Sequence, residues 1–231
     1  MQTDVSKSCS DFLRSHVASS IGVKLKASHA HELVAAYFGY KSRAALLDEK
    51  NYPLSHLDEV VVLVPDVRLI EQRRGCLDGL TPLLPSSLQI ASLVGDFLKQ
   101  QGHFSGKVWL YESLESYVME ELLREEDSLI QDELSGVMAE TNAYFDEAYY
   151  ESAEVTDEAE LVRLEITGQY NGDSDPERPF CGDKIDMIVT VELYRVAGRV
   201  GFSEPNISVS GGVNDDWVDP ELKFENGVQE A

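Results

Sequence analysis

The sequence predicts an α+β protein: an N-terminal helical module, a central α/β segment with a long acidic helix, and a C-terminal antiparallel sheet. Three observations predict it. Apolar residues recur at helical spacing through the first fifty positions, punctuated by Gly22 and Gly39. Val60 to Val64 is an unbroken apolar run rich in β-branched residues, as expected of a buried strand. From Leu161 onward the apolar period changes from three and four to two, the signature of strands with one buried face.

The elements follow in order. Ser10 and Asp11 are the expected caps of a first helix ending near Ser20, with Phe12, Leu13, His16 and Val17 at helical spacing. Ser28 is expected to cap a second helix with the stripe Leu33, Val34, Tyr37 and Phe38, and Gly39 suits a left-handed C-terminal cap. Ser42 opens a third helix bearing Ala44, Ala45, Leu46 and Leu47, and Pro53 bounds this module at 1–52. The central segment, 53–160, holds the Val60–Val64 strand and a short helix over Val67 to Leu77. It continues with a helix capped by Ser86 or Ser87, and a second strand over Lys107 to Tyr111. Leu114, Val118, Leu122, Leu129, Leu134, Val137, Met138, Tyr144 and Phe145 predict one amphipathic helix over 112–150. Val162, Leu164, Ile166 and Tyr170, then Ile185 to Leu193, then 206–213, predict a three-stranded meander over 161–213, joined by a 171–183 loop and a turn at Ala197 to Gly201. The remainder, 214–231, reads as an acidic tail that frays.

Charge separates the halves. Residues 1–110 carry 12 Lys+Arg and 11 Asp+Glu; residues 111–231 carry 7 and 31. Between 112 and 160 there are 17 acidic residues and one basic one, Arg124. Such a surface repels phosphates and anionic lipid and attracts basic partners. No apolar run approaches the roughly 20 residues of a membrane span, and no apolar stretch follows the N-terminus, so a cytoplasmic protein without a secretory signal is expected. Cys9, Cys76 and Cys181 are far apart and odd in number, which speaks against a disulfide framework or a zinc site.

Residues 24–49, KLKASHAHELVAAYFGYKSRAALLDE, resemble a short helical module of uncharacterised bacterial proteins, some labelled glyoxalase-related. The shared pattern is an Ala-His-Glu-Leu-Val-Ala-Ala helix, then Phe-Gly-Tyr-Lys-Ser, then a helix of small residues. The resemblance implies a bacterial source and a packing module. It does not imply glyoxalase chemistry, which needs several His and Glu ligands spread over paired modules.

The candidate sites are few. The predicted acidic helix offers Glu115, Glu121, Glu125, Glu126, Asp132, Glu140 and Glu147 as a ridge for a basic partner surface. The 28–50 hairpin has the outline of a helix-turn-helix, which would place Lys41, Ser42 and Arg43 at the start of a reading helix; the near-neutral charge of that half favours a structural hairpin. Asp173, Asp175 and Glu177 alternate in the manner of a calcium loop, but Pro176 and Gly182 stand where such a loop needs Gly and Glu. His29 and His31 share a predicted helix two residues apart and face away from each other, so no metal is expected there. Cys181 lies among charges of both signs and reads as a structural thiol. No nucleophile elbow, phosphate loop or dinucleotide fingerprint occurs, and no cofactor is expected. The expectation is therefore a non-catalytic, bacterial, acidic protein-interaction or regulatory protein. The alternatives are a nucleic-acid-linked role, as a DNA mimic through the acidic helix or a DNA binder through 28–50, and an enzyme of unknown class.

Overall fold

The computed structural model describes residues 4–111 and 113–218, except for the side chain of Glu147. The predicted acidic tail therefore lies outside the described residues from 219 onward. The helices are α1 (Val5–Ile21), α2 (Ala27–Tyr37), α3 (Arg43–Leu47), α4 (Val67–Cys76), α5 (Ser87–Gln100), α6 (Leu114–Tyr117), α7 (Leu123–Glu125) and α8 (Asp127–Met138). The strands are β1 (Val62–Leu63), β2 (Lys107–Val108), β3 (Ala143–Asp157), β4 (Leu161–Ser174), β5 (Lys184–Ala197), β6 (Gly201–Phe202) and β7 (Asn206–Val213). Helices thus dominate the first half and antiparallel strands the last, an α+β protein. Among the described residues no helix is long and apolar enough to cross a membrane.

The chain compacts into two units, each built from three non-consecutive stretches. Unit 1 takes 1–114, 159–162 and 193–205; unit 2 takes 115–158, 163–192 and 206–231. Strands β4 and β5 each pass from one unit into the other.

In unit 1, α1 begins earlier than its sequence suggests. The Asp4 carboxylate accepts from the Lys7 amide at 3.1 Å and caps the helix, while Ser10 is buried inside it and donates to the Ser6 carbonyl at 2.8 Å. Helix α2 starts after Lys26 without a side-chain cap, so Ser28 is not its cap. Its end is as expected. Gly39 lies in the left-handed region at φ 83°, and the Gly39 and Tyr40 amides donate to Ala36 and Ala35. Ser42 caps α3 through the Ala45 amide, and Ser86 forms a capping box with Gln89 at the head of α5.

The core of unit 1 joins Leu13 and Val17 of α1, Leu33 and Tyr37 of α2, and Ile90, Val94 and Leu98 of α5 with Leu63, Ile70 and Val200. Burying each large side chain contributes roughly 1.5–3 kcal/mol, which is what holds the helices on one another. Strands β1 and β2 are parallel and connected through α4 and α5, as parallel neighbours require; β6 pairs antiparallel with β1. The apolar runs at 60–64 and 107–111 pair over only two residues each, shorter than expected, because their partners are brief and the chain turns at Gly198 (φ 60°). That turn rests on the helical module. Gly198 and Arg199 donate backbone bonds to Tyr52 and Phe38, and the Arg199 guanidinium lies 5.3 Å from the Tyr40 ring centre.

In unit 2 the long helix predicted over 112–150 is corrected. Helical backbone stops at Met138, interrupted before that by a π-turn at Val118–Leu122 and a bend at Glu126, and the chain then forms strand β3. The Thr141 hydroxyl donates to the Met138 carbonyl at the helix end. The aromatic and β-branched residues that follow, Tyr144, Phe145, Tyr149, Tyr150, Val155 and Thr156, suit a strand as well as a helix stripe, and β4 supplies the ladder. The strand order in this unit is β3, β4, β5, β7, so the predicted meander gains a fourth strand. Strands β5 and β7 pair antiparallel from Ile185–Val213 to Glu192–Asn206. Ile185, Met187, Val189 and Val191 are buried and alternate with outward residues, as their period of two requires. Helix α8 packs on β7, with Ile130 and Leu134 buried.

Candidate interaction surface

The division into units sharpens the charge asymmetry. Unit 1 contains 14 Asp+Glu and 14 Lys+Arg, a net charge of zero, whereas unit 2 contains 28 and 5 and holds the whole net charge of −23. Its described stretches, 115–158, 163–192 and 206–218, fold together and contain 24 Asp+Glu and 4 Lys+Arg.

The predicted ridge does not lie along one helix. Glu115 opens α6, Glu121 lies in the π-turn, Glu125 ends α7 and Glu126 occupies the bend before α8. Asp132 lies on α8, Glu140 in the turn after it, and Glu147 on β3 with its side chain outside the description. Glu115, Glu125, Asp132 and Glu140 are exposed, while Glu121 and Glu126 are half-buried. The opposite helix face is apolar as expected: Val118, Leu122 and Leu134 are buried.

Two acids of β5, Asp186 and Glu192, are engaged by neighbouring side chains. Arg163 and Glu192 form an ion pair at 2.7 Å. Asp186 accepts from the Gln169 side chain at 3.0 Å and the Asn214 side chain at 2.9 Å. The Gln169–Asp186 bond borders a shallow depression of about 510 Å³ across the four strands, lined by Glu151, Thr167, Gln169, Asp186, Ile188 and Ser210 among others, including Gly168, Gly211 and Gly212.

A second cavity, about 530 Å³, lies in unit 1 and includes Asp4, Glu49, Tyr52, Asp58 and His103 with Leu46 and Leu54. Two of its carboxylates are committed to backbone. Asp4 caps α1, and Glu49 accepts from the Lys50, Asn51 and Tyr52 amides and from the Tyr40 hydroxyl at 3.0 Å. Burial pushes the Glu49 carboxyl up, but these four hydrogen bonds outweigh it and hold the group below its ordinary value. A carboxylate so held stabilises the fold above its unfolded value of 4.5 and loses that contribution as pH falls through its lower folded value. The Tm advantage of the wild type over Glu49→Gln should therefore shrink between pH 7 and about pH 3. A constant difference across that range would show that the carboxylate does not anchor the 49–52 loop.

The other candidates are placed as follows. Ser42 spends its hydroxyl on capping α3, which is only five residues long, and the Arg43 amide donates to Glu32. The helix-turn-helix outline therefore lacks a second helix long enough to lie in a groove. Lys41 is exposed beside it. The loop expected over 171–183 is shorter, since β4 runs to Ser174 and carries Asp173 on a strand. Asp175 accepts from the Glu177 amide at 2.9 Å and pairs with Arg178 at 3.3 Å. Among the described residues no group of three His, Cys, Asp or Glu side chains is arranged to hold a metal. His31 is lowered by burial and by Arg43. Cys181 accepts from the Asn142 side chain at 3.4 Å, and Cys9, fully buried, has its thiol pushed up to about 12 by burial.

The feature that sequence reasoning missed is β3. Its signal was present in the density of Tyr, Phe, Val and Thr between 144 and 156, set against acidic residues that also populate helices. No family model, characterised protein or solved structure matches this chain.

Proposed function

We propose that this is a non-catalytic cytoplasmic interaction protein in which unit 2 engages a basic surface of another protein, carried on a neutral unit 1. The observation that carries the reading is the partition of charge: 28 acidic and 5 basic residues in one unit, 14 of each in the other. Solubility calls for a net charge of only about 2–8 in a small domain and gives no reason to place it all on one unit. A basic partner would relieve the repulsion among these carboxylates and gain electrostatic steering, which fades as salt screens it beyond about 10 Å at 0.1 M.

The test compares two variants of equal charge. One changes Glu115, Glu125, Asp132 and Glu140 of unit 2 to Lys; the other changes Asp48, Glu59, Asp78 and Glu204 of unit 1. Binding to a lysine-rich peptide at physiological salt should fall at least tenfold in the first and little in the second. Equal losses would mean that net charge alone attracts the peptide, and the acidic unit would then be only a solvated surface.

A further inference from the structure

We propose that the outer edge of β3 accepts a basic, extended segment of the partner as an added strand, a mode of engagement that rests on the acidic-unit reading above. Strand β3 is fifteen residues long and stands at the end of the strand order, so among the described residues it has a neighbouring strand on one side only. A strand edge is a row of backbone donors and acceptors at fixed spacing, the template for strand addition. Edges are ordinarily kept short or covered; this one is long, and its second half is open, every residue from Glu151 to Asp157 being exposed except Ala153, which is half-buried. Tyr144, 72 % exposed, and Tyr149, 60 % exposed, offer broad side chains for an added strand to pack upon.

Charge selects the occupant. Strand β3 contains five acidic residues, at 146, 147, 151, 154 and 157, and no Lys, Arg or His. A second copy pairing along this edge would set carboxylates opposite carboxylates, which destabilises a ladder, whereas a Lys- or Arg-bearing segment would set opposite charges across it. The same acids that bar self-association thus leave the edge open to a basic strand. The other edge of this unit, β7, has eight residues and no charged one, so it offers no such selection.

The probe is a labelled twelve-residue peptide of alternating Lys and Val, titrated into the full chain at physiological salt. Its counterpart has the same sequence with every backbone amide N-methylated, equal in charge but without donors. Binding of the first and at least tenfold weaker binding of the second is expected. Two protein variants, Val155→Pro and Thr156→Pro, complete the test. Successive amides of a strand point to opposite sides, so one variant removes an outward donor and the other an inward one. The variant that keeps the wild-type melting temperature should lose at least tenfold in affinity for the unmethylated peptide. Equal affinity for the two peptides, lost together in the four-residue reversal of unit 2, would overturn strand addition and leave the acidic-unit reading standing. Affinity that survives both this reversal and the change of Asp146, Glu151 and Glu154 of β3 to Lys would overturn both. Should both proline variants unfold, the peptide comparison alone decides.

Discussion

Replacing Gly39 by Ala should lower stability by about 2–5 kcal/mol, with the melting temperature falling by roughly 5–15 °C. Two costs combine. Gly39 sits at φ 83°, where a side chain costs about 1–2 kcal/mol. A Cβ there would also come within 2.9 Å of the Arg199 Cβ and 3.1 Å of Val200, in the turn that folds back onto the end of α2. Overpacking of that kind adds roughly 1–3 kcal/mol. Gly22 separates the two terms. It is also left-handed, at φ 68°, but a Cβ would meet nothing within 4 Å, so Gly22→Ala should show the backbone cost alone. Denaturant unfolding of both variants measures the difference. Equal losses would mean that the 197–200 turn yields freely and does not clamp the helical module.

Leu134→Ala should cost about 2–5 kcal/mol. Leu134 is 1 % exposed on the apolar face of α8, and its tip lies 2.8 Å from where a Cβ on Gly211 would stand. With no side chain at Gly211 to swing into the space, the cavity left by the truncation cannot collapse easily, and the cost rises with the volume that stays empty. Leu129→Ala, half-buried on the same helix, provides the comparison and should cost clearly less. Urea unfolding with equal m-values would establish that stability itself has changed. A loss below about 1 kcal/mol for Leu134→Ala would show that α8 does not depend on this contact for its seat on β7.

Both variants bear on how the candidate surface is built. Helix α8 carries Asp132 outward only while Leu134 and Ile130 hold its other face, so the stability of that packing sets the geometry of the acids. The surface is therefore a product of folding. Individual acidic positions could be named beforehand, including Glu115, Glu125, Asp132 and Glu140, which are exposed as expected. Their arrangement could not, because it follows from a π-turn, a bend and a return as strand, none of which a periodicity of threes and fours foretells.

What the sequence by itself determined is local. The glycine at 39 ends its helix by donating to a carbonyl three residues back, and the serines at 42 and 86 begin theirs by accepting from amides three residues on, while the period of two in β4 and β5 assigns their buried faces. These features need no distant partner. The tertiary structure decided the rest, for a matching reason. Residues 143–157 satisfy either a helix or a strand in isolation, and only the ladder offered by β4 chooses between them. Likewise the gathering of most of the net charge into one unit depends on which distant stretches pack together, so a count along the chain registers the imbalance while the fold alone gives it a surface.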